Sequence, residues 1–121
     1  MATIREVMST GLHYVNPTTT VGEAVALMAQ HRIGSALVME GMRLVGIFTE
    51  RDTVRALSQS YDAPSHTVSS WMTPDPMTVT PDSSTDEALK TMLDHNFRHL
   101  PVMEGDEVVG IVSIRDLAAK A

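Results

Sequence analysis

Two strings in this 121-residue chain bring a hydroxyl, an arginine and a carboxylate within four positions: Thr49-Glu50-Arg51-Asp52 and Ser113-Ile114-Arg115-Asp116. Ser or Thr followed three residues later by an acid is the pattern of a helix N-cap, in which side chains satisfy free backbone amides. The same geometry suits a nucleotide. Free amides and the positive dipole end at a helix start attract a phosphate, and a carboxylate one turn in can accept both hydroxyls of a ribose. Arg51 and Arg115 would lie in the first helical turn, where a cation opposes the dipole. They read either as solvated surface arginines or as phosphate clamps, since guanidinium pairs with phosphate in bidentate fashion.

The elements that position these strings come from a chain written twice. Sliding Ile4–Leu57 onto Val68–Ala121, an offset of 64 without a gap, matches Met8 with Met72, Val15 with Val79, Pro17 with Pro81, and Glu23-Ala24 with Glu87-Ala88. The match continues through Met28 and Met92, His31 and His95, and Val38-Met39-Glu40-Gly41 with Val102-Met103-Glu104-Gly105. It closes on Val45-Gly46-Ile47 with Val109-Gly110-Ile111 and Arg51-Asp52 with Arg115-Asp116. Fixed-period self-similarity marks repeated structural units. The division is 1–57, a polar link 58–67 containing Pro64, and 68–121.

Each copy predicts the same elements. Thr20-Val21-Gly22-Glu23 and Ser84-Thr85-Asp86-Glu87 fit a capping box, followed by helical apolar spacing at Val21, Ala24, Val25, Met28 and at Ala88, Leu89, Met92, Leu93. These helices end near His31 and His95. Strand pairs follow at Ala36–Met39 with Leu44–Phe48, and at Leu100–Met103 with Val108–Val112, with Gly41 and Gly105 in the turns. Thr49 and Ser113 then cap second helices. Short strands at Tyr14-Val15 and Thr78-Val79 precede the prolines, and short helical turns at Ile4–Met8 and Val68–Met72 come first. The unit is β-α-β-β-α, an α/β (α+β) class, and two such halves are expected to pack sheet to sheet about a pseudo-twofold axis.

Composition narrows the function. Nine Lys and Arg against fifteen Asp and Glu leave a net charge of −6, which argues against a nucleic-acid polymer or an anionic membrane as partner. With no cysteine, disulfides, zinc–thiolate sites and a thiol nucleophile are excluded. No apolar run is long enough to cross a bilayer, and Met1–Met8 does not read as a signal peptide, so a cytoplasmic protein is expected. His95 and His99 are four apart, a metal spacing only on a continuous helix, and strand signals begin at Leu100. No metal site, cofactor or catalytic constellation is discernible, so no enzyme is expected.

The repeated unit, with Gly46-Ile47-Phe48-Thr49-Glu50-Arg51-Asp52, Gly110-Ile111-Val112-Ser113-Ile114-Arg115-Asp116 and Phe97-Arg98-His99-Leu100-Pro101-Val102, resembles the CBS domain, named for cystathionine β-synthase. The resemblance runs from Ile4 to Leu117, over both copies. It implies a stand-alone tandem pair, or Bateman module, that binds adenosine nucleotides (AMP, ADP or ATP) in clefts between the repeats. It further implies dimerisation into a flat disc and control of a separate effector protein. S-adenosylmethionine and NAD are ligands of the same class. A ligand-independent dimerisation or scaffold module is the alternative.

Family roles then fall on particular residues. Asp52 and Asp116 hold ribose, Thr49 and Ser113 lie near phosphate, and residues before Pro17 and Pro81 line the adenine. One expected set, the stronger, is Thr49, Arg51, Asp52, Met77, Thr78, Arg98, His99 and Pro101. The other, the weaker, is Tyr14, Ile33, Gly34, Ser113, Arg115 and Asp116. The inequality follows from repeat asymmetry: Gly34-Ser35 in copy one stands where copy two has Arg98-His99, and Leu37 where it has Pro101. Ile33, Ile47, Phe97 and Ile111 fit either a base sandwich or the core.

Overall fold

The structure, a computed structural model, describes residues 2–119. In chain order the elements are α1 (Ile4–Val7), β1 (Tyr14–Val15), α2 (Val21–His31), β2 (Ser35–Glu40), β3 (Arg43–Thr49), α3 (Glu50–Gln59), β4 (Thr73–Pro74), α4 (Thr85–His95), β5 (His99–Glu104), β6 (Glu107–Ser113) and α5 (Ile114–Ala119). Two 3-10 turns, Ala63–Ser65 and Val68–Ser70, separate α3 from β4. The expected α+β elements are present in each copy, with one reduction described below.

The chain forms two compact units. One is contiguous, His13–Pro76; the other is split, Met1–Leu12 with Met77–Ala121. In the contiguous unit the sheet order is β1-β2-β3-β4. β1 runs parallel to β2, and β2–β3 is an antiparallel hairpin that sets Ser35 opposite Thr49. Its core joins Val21, Ala24 and Met28 of α2 to Ala36, Val38, Phe48 and Val68. In the split unit β5–β6 repeats the hairpin, with His99 opposite Ser113. There Ile4 of α1 is buried with Ala88, Met92, Leu100, Val102, Val112 and Leu117.

The compact units are therefore not cut where the sequence repeats are. The short opening segment of each repeat packs on the strands of the other: Ile4 joins the core of residues 77–121, and Val68 joins that of residues 13–76. The link 58–67 is also more than a spacer. α3 extends to Gln59, Ala63 is fully buried, and the Val21 amide donates to the His66 carbonyl at 2.8 Å.

One expected strand is reduced. Thr78-Val79 forms only an isolated bridge, Val79 to Val102. In the other copy the Leu37 amide donates to the His13 carbonyl at 3.2 Å. The equivalent residue is Pro101, which has no N–H to give, so that rung is missing.

The reciprocal capping box is complete at α2, whereas α4 shows only the Ser84 half of it. At α2, Thr20 Oγ1 accepts from the Glu23 amide at 3.1 Å, and Glu23 Oε1 accepts from the Thr20 amide at 2.9 Å. At α4, Ser84 accepts from the Glu87 amide at 3.0 Å. The bonds from the Thr20 amide and hydroxyl hold the Glu23 carboxyl below its ordinary 4.5. A carboxyl whose folded value is depressed stabilises the fold above its unfolded value, and that contribution is lost as pH falls through the lowered value. Glu23→Gln is thus expected to flatten the fall of Tm with acidification. Thr20→Ala, which removes the cap, should cost about 1 kcal/mol at neutral pH. Parallel acid profiles for wild type and Glu23→Gln would contradict this account.

Candidate functional site

The site is built at the start of α3. Thr49 ends β3 in extended conformation, and the Glu50 amide donates to the Gly34 carbonyl at 3.0 Å, which seats the helix on the entry to β2. Thr49 Oγ1 accepts from the Asp52 amide at 3.2 Å. Asp52 Oδ2 accepts from the Thr49 amide at 3.0 Å and its hydroxyl at 3.1 Å. Asp52 is only 6% exposed, a burial that a carboxylate tolerates when its oxygens are bonded.

Its second oxygen meets a cation that the sequence analysis did not single out. Asp52 Oδ1 lies 3.4 Å from Arg55 Nη2, and the same nitrogen donates to the Trp71 carbonyl at 2.6 Å. The Arg55 guanidinium sits 5.4 Å from the Trp71 ring centre. The Trp71 indole N–H donates to His66 Nδ1 at 3.1 Å, and His66 Nε2 is 3.3 Å from Asp62 Oδ1. An indole nitrogen only donates, so His66 Nδ1 must carry a lone pair and the ring proton sits on Nε2, facing Asp62. The Ser60 hydroxyl, with a smaller contribution from His66, holds the Asp62 carboxyl below its usual range. The available signal for Arg55 was its helical spacing from Asp52, three residues on.

The split unit repeats the helix start without the cation. Ser113 Oγ accepts from the Asp116 amide at 3.1 Å, and Asp116 Oδ2 accepts from the Ser113 amide at 2.8 Å. The Ile114 amide donates to the Arg98 carbonyl at 2.9 Å. Asp116 is half-buried, and the position equivalent to Arg55 is Ala119.

The predicted residues divide between the units. Thr49, Arg51 and Asp52 share the contiguous unit with Tyr14, Ile33 and Gly34; Ser113, Arg115 and Asp116 share the split unit with Met77, Thr78, Arg98, His99 and Pro101. Arg51, Arg98 and Arg115 are exposed, as are Tyr14, Met77 and Thr78. Pro101 is buried opposite Ile111, while Ile33 packs on the core of the contiguous unit and Phe97 on that of the split unit. Tyr14 also lines an open cavity of about 460 Å³ with Asn16, Glu23, Leu27 and Met39. Among the described residues no group of three or more His, Asp or Glu could hold a metal ion, and no helix is long and apolar enough to cross a membrane. The histidines make local contacts: His13 stacks on His31 with centroids 3.9 Å apart, and His95 Nδ1 is 3.1 Å from the Thr91 carbonyl.

The family model for the CBS domain matches residues 4–59 and 68–121. The chain belongs to the CBS domain family. This CBS domain pair is 43% identical to the "Uncharacterized 17.7 kDa protein in bps2 3'region" of Acidianus ambivalens, over 98% of this chain and 73% of that protein. Its fold matches the CBS-domain containing protein ATU1752 from Agrobacterium tumefaciens with a TM-score of 0.94 and 30% identity, covering 98% of both chains. It also resembles the CBS domain pair of protein MJ0100 in complex with 5'-methylthioadenosine and S-adenosyl-L-methionine (TM-score 0.90, 25% identity, 98% of both chains).

Proposed function

We propose that this CBS domain pair is a regulatory module that binds adenosine nucleotides through Asp52 and Asp116. The observation that carries the reading is the pair of repeat-equivalent helix starts, each with a carboxylate fixed by its own Ser or Thr and an arginine one position before it. In this reading the carboxylates take the ribose hydroxyls, Arg51 and Arg115 with the helix amides take phosphate, and the backbone of the strand at Tyr14 and of Met77-Thr78 reads the adenine edge. Both ligands of the MJ0100 pair carry an adenosine group, which supports that ligand class. The nucleotide is a regulatory ligand rather than a cofactor. It acts on a separate effector, or on the pairing of two copies into a homodimer, by binding one arrangement better than another.

A ligand-independent scaffold is the second reading, favoured by one fact: among the described residues every buried side-chain polar atom has a partner within the chain. Thermal melts with AMP, ADP, ATP, NAD and S-adenosylmethionine separate the two. A binder gains RT ln(1 + [L]/Kd), about 2.7 kcal/mol at 100-fold over Kd, and Tm rises. A melting temperature that none of the five moves would establish the scaffold instead.

A further inference from the structure

The two oxygens of Asp52 have different duties. Oδ2 accepts from both the amide and the hydroxyl of Thr49, which fills its two lone-pair positions. Oδ1 faces Arg55 Nη2 at 3.4 Å. A ribose presents two neighbouring hydroxyls as donors and must draw its bonds mainly from Oδ1, the oxygen that Arg55 holds.

Arg55 has a second anchorage. Its Nη2 donates to the Trp71 carbonyl at 2.6 Å and its guanidinium lies 5.4 Å from the indole ring. That ring is tied through Nε1 to His66, and His66 to Asp62. All five side chains belong to the contiguous unit. The other copy has none of this apparatus. At the offset of 64, Arg55, Trp71 and His66 correspond to Ala119, Val7 and Ala2.

We propose that Arg55 is a latch on the Asp52 site: it competes with a ribose diol for Asp52 Oδ1, and its displacement is passed to Trp71. This rests on the reading of Asp52 as the ribose carboxylate. The Asp52 site is then self-restrained, and the Asp116 site is not. An ordinary i,i+3 helix ion pair would involve only Asp52 and Arg55; the 2.6 Å bond to Trp71 is what couples the pair to a second element.

Trp71 is the sole tryptophan, so indole emission reports on this place alone. Adenosine is the probe, because without phosphate it gains nothing from the arginine's charge; 2',3'-dideoxyadenosine is the control without the diol. Calorimetry of Arg55→Ala should show adenosine bound about two- to fivefold more tightly than by wild type, the scale of a half-exposed ion pair, with the dideoxy analogue unchanged. Arg55→Met, which keeps an apolar stem against Trp71, should behave alike and guards against lost packing. Adenosine should shift Trp71 emission in wild type and not in either Arg55 variant. In the ligand-free protein, Asp52→Asn should shift emission as well, and adding it to Arg55→Ala should change nothing further.

Weaker adenosine binding by Arg55→Ala, or equal tightening for both probes, would overturn the latch. So would wild-type heat of binding with Trp71 emission unmoved, which refutes the latch and leaves the nucleotide reading standing. No heat from adenosine or AMP in any variant removes the nucleotide reading and the competition together.

Discussion

Replacing Asp52 by Ala is expected to abolish most nucleotide binding at the contiguous unit while leaving the chain folded. The carboxylate offers a ribose two hydrogen bonds to a charged acceptor, each worth about 1.5–3 kcal/mol. Losing both weakens affinity by about 100-fold or more. The cost to the fold is smaller. Asp52 also returns the α3 cap to the Thr49 amide at 3.0 Å, and loss of a cap costs about 1 kcal/mol. Its partner Arg55 keeps the Trp71 carbonyl and remains half-exposed, with its side chain 45% accessible, so no buried charge is stranded. Asp52→Asn preserves the shape and one acceptor oxygen and should fall between wild type and Ala. Asp116 closes the equivalent cap with Ser113 in the split unit, so Asp116→Ala is expected to weaken binding there in the same way. Calorimetric titration of ATP into the two alanine variants decides this; wild-type affinity in both would remove the two carboxylates from ligand binding.

The largest stability effects are expected at two glycines that carry no ligand chemistry. A Cβ on Gly46 would lie 2.5 Å from Met72 Sδ and 3.0 Å from the Thr73 carbonyl. A Cβ on Gly110 would lie 2.7 Å from Met8 Sδ and 3.0 Å from the Ser9 carbonyl. A methionine side chain can swing aside, but the carbonyl belongs to backbone paired with that same strand: Thr73 with Ile47, and Ser9 with Ile111. Gly46→Ala and Gly110→Ala should each cost about 1–3 kcal/mol through overpacking, read as a lower midpoint in urea at unchanged slope. Met72→Ala placed beside Gly46→Ala should recover part of the loss. Wild-type midpoints in both glycine variants would mean that the strands part without cost, contrary to this packing.

Those glycines also show what could be read from the sequence. The 64-residue offset located the elements because each hairpin, cap and apolar stripe is a local pattern. Ala36–Met39 and Leu100–Met103 fall inside β2 and β5, and Thr49 and Ser113 stand where α3 and α5 begin. The exchange of opening segments was not legible for a physical reason. Met8 and Met72 are equivalents, as are Gly46 and Gly110, so a methionine over a glycine satisfies either pairing. Self-similarity that reveals the repeat erases the information about which copy packs on which. The lost rung at Val79 was readable in principle, since Pro101 is visible as a residue without a donor. Asp52 as the central carboxylate came from motif and resemblance. Its bond through Arg55 to Trp71 did not, because it joins residues 16 apart across two elements.

The split unit has a consequence for biosynthesis. On the ribosome the contiguous unit has all its residues once Pro76 is made, whereas Ile4 waits for Ala88, Met92, Leu100, Val112 and Leu117 before its core exists. Met8 and Gly46 are both made before Met72, the methionine that packs over Gly46 in the folded chain. Vectorial synthesis thus gives the two opening segments an order that refolding of the full-length chain does not impose, and the 2.6 Å bond from Arg55 to the Trp71 carbonyl ties the later segment to α3.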